Sequence, residues 1–165
     1  MTDRPEAAPP AVAVFYHMIH AGLEETLAMI LTRAVGQGWK VMVRAPELGF
    51  LEHLDRQLWL GREDGFLPHG LAGGAHDALQ PVLLGVGAIG NGARGLMLLA
   101  GAGASEPEMA GLERVWVLFD GADPAAVARA REAWVMFTGW GLAAQYWSDE
   151  GGSWAKKSEK AARAG

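Results

Sequence analysis

The 165-residue chain contains no cysteine, which excludes structural disulfides and thiolate metal sites and fits a reducing compartment, with the cytoplasm as the default. Positive charge is scarce too: 14 Lys and Arg stand against 19 Asp and Glu, for a formal charge of -5. Broad contact with a phosphate backbone needs many cations gathered on one face, so tight binding of free DNA is not expected. No apolar run approaches the roughly 20 residues of a membrane span, and the opening MTDRPEAAPP lacks a basic-then-apolar signal region. Nor does serine offer a nucleophile. Ser105, Ser148, Ser153 and Ser158 fall in expected loops or the tail, and none sits in a GxSxG elbow.

What is abundant is apolar side chain, at 50% of the residues, enough for one domain with a sizeable core. Residues 1–10 read as a flexible leader, 11–147 as an α/β domain, and 148–165 as a polar C-terminal tail containing Trp154. AVAVFYH (11–17) has the composition of a buried strand, and LEETLAMILTRAVGQG places Leu23, Leu27, Ile30, Leu31 and Ala34 on one helical face. WKVMVRA (39–45) is a second buried-type strand, after which Pro46 is expected to open a helix carrying Phe50, Leu51, Leu54 and Leu58. PVLLGVG and GLMLLAG read as strands around an Asn91-Gly92 turn signal, either paired as a hairpin or lying as neighbours. ERVWVLFDG (113–121) is a further strand, Asp123 and Pro124 cap and open the last helix, and LAAQYW (142–147) is the last strand. This alternation predicts a single-domain, doubly wound, mostly parallel sheet with helices on both faces, of Rossmann-like type.

Several motifs invite chemistry. Gly85, Gly87 and Gly90 match the GxGxxG spacing of dinucleotide sites, but that motif needs a helix opening at its end, and here a turn and another strand follow. A nucleotide-binding enzyme on a Rossmann-like sheet is thus the alternative reading, and no cofactor is expected. His17, His20, His69 and His76 with Asp77 show no i, i+4 helical pair of the zinc-enzyme kind and read as loop polar residues, so no metal is expected either. Asp120 ends a strand at the edge where open α/β sheets bind ligands, although DGADP is also an ordinary turn. The seven tryptophans are unusual, and Trp with Arg at element ends is typical of interface anchors. In the last helix Arg131 and Trp134, three residues apart, share a face, so a cation can lie beside an aromatic ring.

FYH near the start, QGWKVMVRAP, LDRQLW, GFLPHGLAG with HDALQPVLL, ERVWVLFDG, and ARAREAW followed by QYW together resemble the chi subunit family of bacterial DNA polymerase III, over about residues 11–157. The resemblance implies a non-catalytic accessory subunit that links the clamp-loader complex, usually through the psi subunit, to single-stranded DNA-binding protein by recognising that protein's acidic, Phe-ending tail. It further implies a psi or clamp-loader interface at Trp59, Phe66 and Leu67, with Phe66 as the aromatic anchor of the FLPH loop. For the tail it implies Arg131 and Trp134, with Arg129 alongside, whereas Val135 and Thr138 stand where chi-like proteins often carry Lys or Arg. Lys156, Lys157, Lys160 and Arg163 are the cations that would make up for those two positions.

Overall fold

A computed structural model describes residues 11–60 and 67–163. Eight strands form one sheet: β1 (Val12–Met18), β2 (Val41–Arg44), β3 (Gly70–Leu71), β4 (Val82–Gly85), β5 (Gly95–Leu98), β6 (Arg114–Asp120), β7 (Ala143–Ser148) and β8 (Ala155–Lys160). Their spatial order is β3-β4-β2-β5-β6-β1-β7-β8, parallel throughout except for antiparallel β8. Three helices join them: α1 (Leu23–Gly36), α2 (Leu48–Leu60) and α3 (Pro124–Gly139).

Period-two alternation in the strands divides the core between the two faces. Val14, Met18, Val41, Val43, Met97 and Leu118 pack under α1 and α2, while Ala13, Phe15, Met42, Leu96, Val115 and Phe119 pack under α3 and the 86–93 connection. Strands covered on both sides need apolar residues at successive positions, which is why β2 and β4 are buried along their whole length. The doubly wound, Rossmann-like α/β arrangement expected from the alternation is the one observed.

Local details depart from the sequence expectations. α2 begins at Leu48, two residues after Pro46, which lies in the entering turn. β4 and β5 neither pair as a hairpin nor sit side by side; they flank β2, both parallel to it. Asn91-Gly92 therefore works in a crossover. Gly92 adopts φ +67°, and the buried Asn91 amide donates to the carbonyls of Val41 and Gln80 at 3.2 and 2.9 Å. The residues read as a polar tail contain β8, which pairs with β7 and has all six residues exposed. Ladder hydrogen bonds hold it in place, with no buried face to mark it as a strand. Trp154, just ahead of β8, stacks edge-on against Tyr16 at 5.1 Å.

Candidate protein-binding site

α3 is positioned by its N-terminus. Asp123 accepts a hydrogen bond from the Ala125 N–H at 3.0 Å and Pro124 supplies the first turn, as the sequence indicates. Ala130 and Phe137 turn toward the sheet, and the helix has one flank on either side of them.

On the β5–β6 flank lies a pocket of about 730 Å³ at the carboxyl ends of β1, β5 and β6, reaching Met18, Leu98 and Asp120. Ala126, Arg129, Ala133 and Met136 of α3 form one wall, and the Gly101–Gly103 loop forms another. Gly101 sits at φ +84°, and a β-carbon there would come within 2.9 Å of Arg129 Nε, so glycine both permits the turn and makes room for the guanidinium. Arg129 makes no ion pair among the described residues. The same loop is fixed from beneath by Arg44, whose guanidinium donates to the carbonyls of Gly87 and Gly103 and grips both carboxylate oxygens of Glu108, at 3.0 and 2.6 Å. That pairing, against an opposing push from burial, holds the Glu108 carboxyl down at about 2. Asp120 joins the pocket rim but spends Oδ1 on the Ala122 N–H at 2.8 Å, a turn contact.

The opposite flank holds Arg131 and Trp134. Trp134 is half-buried against Phe15 (5.4 Å between ring centres) and Tyr146 (6.2 Å). The Tyr146 hydroxyl lies 2.6 Å from His17 Nδ1; burial raises its pKa, and the positive charge of Arg131 works against that rise. Arg131 and Trp134 thus share a flank as their spacing requires, but among the described residues the cation–π contacts are those of Arg94 and Arg114 over Trp39. Arg129 is not with them. Val135 is 69% exposed, while Thr138 is buried with its hydroxyl donating to the Trp134 carbonyl at 2.8 Å.

The cations expected in the tail divide similarly. Arg163 donates from its backbone to Gly141 and from its guanidinium to the Gly139 carbonyl, closing the C-terminus of α3. Lys156 pairs with Glu159 at 2.9 Å. Lys160 lies opposite Ala144, on the α3 face of the sheet.

A second exposed surface lies at the end of α2. Trp59 is 51% and Leu60 81% exposed, and the Trp59 ring lies over His69 with centres 4.2 Å apart. His69 is buried, with Nδ1 at 2.7 Å from the Leu67 carbonyl and Nε2 at 3.2 Å from the Asp55 carboxylate. The FLPH histidine does lie in a loop, as the sequence indicates, but it is buried and supports Trp59. Leu67 is half-buried against the core; Phe66 lies outside the described residues.

GVGAIG follows β4 into the crossover, so no helix opens at the third glycine. Among the described residues no group of three or more His, Asp or Glu could hold a metal ion, and no helix is long and apolar enough to cross a membrane. The family model of the DNA polymerase III chi subunit, HolC, matches residues 11–145. The chain belongs to that family. Its role is accordingly that of an accessory subunit in DNA replication, and the chi family is not known as catalytic. No curated protein matches the chain.

Reading the sequence missed the pocket, Gly101 and the His69 support. A glycine three residues past an apolar strand was the available signal for Gly101, but 23 glycines dilute it.

Proposed function

We propose that this chi-family protein is a non-catalytic adaptor joining the clamp-loader part of DNA polymerase III to single-stranded DNA-binding protein, and that it takes the acidic, Phe-ending tail of the latter along α3. The observation that carries the reading is the apolar pocket of about 730 Å³ with Arg129 at its rim. A terminal aromatic ring needs an apolar recess, and its carboxylate needs a cation within reach; guanidinium can hold a carboxylate through two parallel hydrogen bonds. The recess and Arg129 together meet both needs in one place. Arg131 and Trp134 form a second candidate strip on the other flank, favoured by the proximity of Arg131 to Tyr146. Trp59 and Leu60, with Phe66 and Leu67, form the clamp-loader or psi surface, because exposed Trp at an element end is the usual interface anchor.

Calorimetry with a tail peptide tests this. Arg129→Ala should weaken binding about tenfold or more, the scale of a charge-assisted contact, and deletion of the terminal Phe should do the same. Arg131→Ala should stay within about twofold. The reverse pattern would move the tail to the Trp134 flank. Trp59→Ala should release clamp-loader components, leaving peptide binding intact; loss of both together would argue against two separate surfaces.

A further inference from the structure

The turn between β1 and α1 is built like an anion-binding loop. Its successive backbone N–H groups, from Ile19, His20 and Ala21, converge on a single carboxylate, that of Asp149, at 2.7, 3.0 and 2.6 Å. Asp149 comes from the β7–β8 turn, about 130 residues away in sequence, and is only 3% exposed. The turn stands at the carboxyl edge of a parallel sheet just ahead of a helix, where doubly wound folds place a ligand's phosphate. Converging backbone N–H groups in such a turn form a concave site for anions. Here no free anion is needed, because the chain supplies its own.

The wider setting says what this carboxylate does. Ile19, Ala21, Gly22 and Leu23 line the pocket beside α3. Asp149 lies past residue 145, where the family match ends. His20 is tied to the same turn a second time, with Nε2 3.0 Å from the Glu150 carbonyl. Burial works against the Asp149 charge, but the N–H groups of Ile19, Ala21 and His20 outweigh it and hold the carboxyl below its ordinary range.

We propose that Asp149 is an internal anion seated in a small-anion nest, and that as a positioning residue it fixes the Ile19–Ala21 wall of the α3 pocket. Without its side chain the nest becomes a site for a small free oxyanion, a carboxylate such as formate. The effect on tail binding rests on the pocket reading above; the nest does not.

Chemical rescue in the full chain tests the proposal. Asp149→Ala should lower Tm, and sodium formate should restore it well beyond what an equal concentration of sodium chloride does, whereas the parent should respond equally to the two salts. Amide resonances of Ile19, His20 and Ala21 should shift saturably with formate in the variant and stay fixed in the parent. If Asp149→Ala is unfolded in buffer, formate should refold it where sodium chloride does not, as followed by circular dichroism. Asp149→Asn, whose amide fills the space, should be destabilised without rescue. Equal response of variant and parent to formate, or silent amides at Ile19–Ala21, would overturn the nest. Tail-peptide affinity should fall several-fold in Asp149→Ala and return with formate. If the amides respond and the affinity does not, the positioning role is wrong; if neither Asp149→Ala nor Arg129→Ala changes peptide affinity, the pocket reading itself has failed.

Discussion

Arg129 and Arg131 lie two residues apart on one helix and meet different surroundings. The Arg129 flank is an open apolar recess whose far wall is a glycine loop clamped by Arg44 and Glu108. The Arg131 flank is a closed stack in which Trp134, Phe15 and Tyr146 already satisfy one another. An aromatic ring beside a cation is therefore a poor guide to a binding site when that ring is needed by the core. Room for a partner's side chain discriminates better than the presence of an aromatic one.

Acid should test the first flank most severely. Glu108 has its folded-state pKa depressed from 4.5 to about 2, so its contribution is complete above the unfolded value and is lost as pH falls through the folded one. A shift of that size corresponds to at most about 3 kcal/mol, at about 1.4 kcal/mol per unit, less what solvent reaching the part-exposed carboxylate screens away. Thermal unfolding of the parent and of Glu108→Gln should differ by up to that amount at neutral pH and converge as pH approaches 2. A constant gap across this range would mean that the ion pair does not hold the loop.

The second flank should respond to Trp134→Ala instead. Removing a half-buried Trp from a three-ring stack should cost about 2 to 3 kcal/mol of stability, below the range for a fully buried ring. Tail affinity of the folded variant should hardly change, as judged by urea melts paired with peptide titration. A larger loss in affinity than in stability would restore Trp134 as a binding residue.

How far these contrasts could be read in advance follows from what each depends on. Helical phase alone puts residues two apart about 200° from one another, so the separation of Arg129 from Arg131 was legible, as were the Asp123–Pro124 start of α3 and the buried strands. Which arginine meets the recess was not, because that depends on Gly101, a residue distant in sequence but folded against α3. The placement of β4 and β5 on either side of β2 was hidden for a similar reason: parallel partners are chosen by long-range packing, and Asn91-Gly92 looks the same in a hairpin as in a crossover. AKKSEK gave no sign of β8, since a strand with both faces in water needs no alternation of apolar residues.

The smallest expected effect concerns charge around the recess. Asp120, Asp123 and Glu132 share its lining with Arg129, so each carboxylate opposes the acidic residues that Arg129 attracts. Glu132→Gln should strengthen tail-peptide binding about two- to fivefold at low salt, the scale of one exposed charge interaction, and the gain should shrink as salt is added. Weaker binding in this variant would place the peptide's acidic residues away from the Arg129 flank.

β8 ends the sheet, and the outer side of an edge strand is a template for a strand from another molecule. Lys156, Lys157 and Lys160 project from that border, and all six of its residues are exposed. A strand approaching that border would meet three lysines and find no large apolar side chain to bury. The β8 edge thus carries charge where a flat apolar edge would invite another strand.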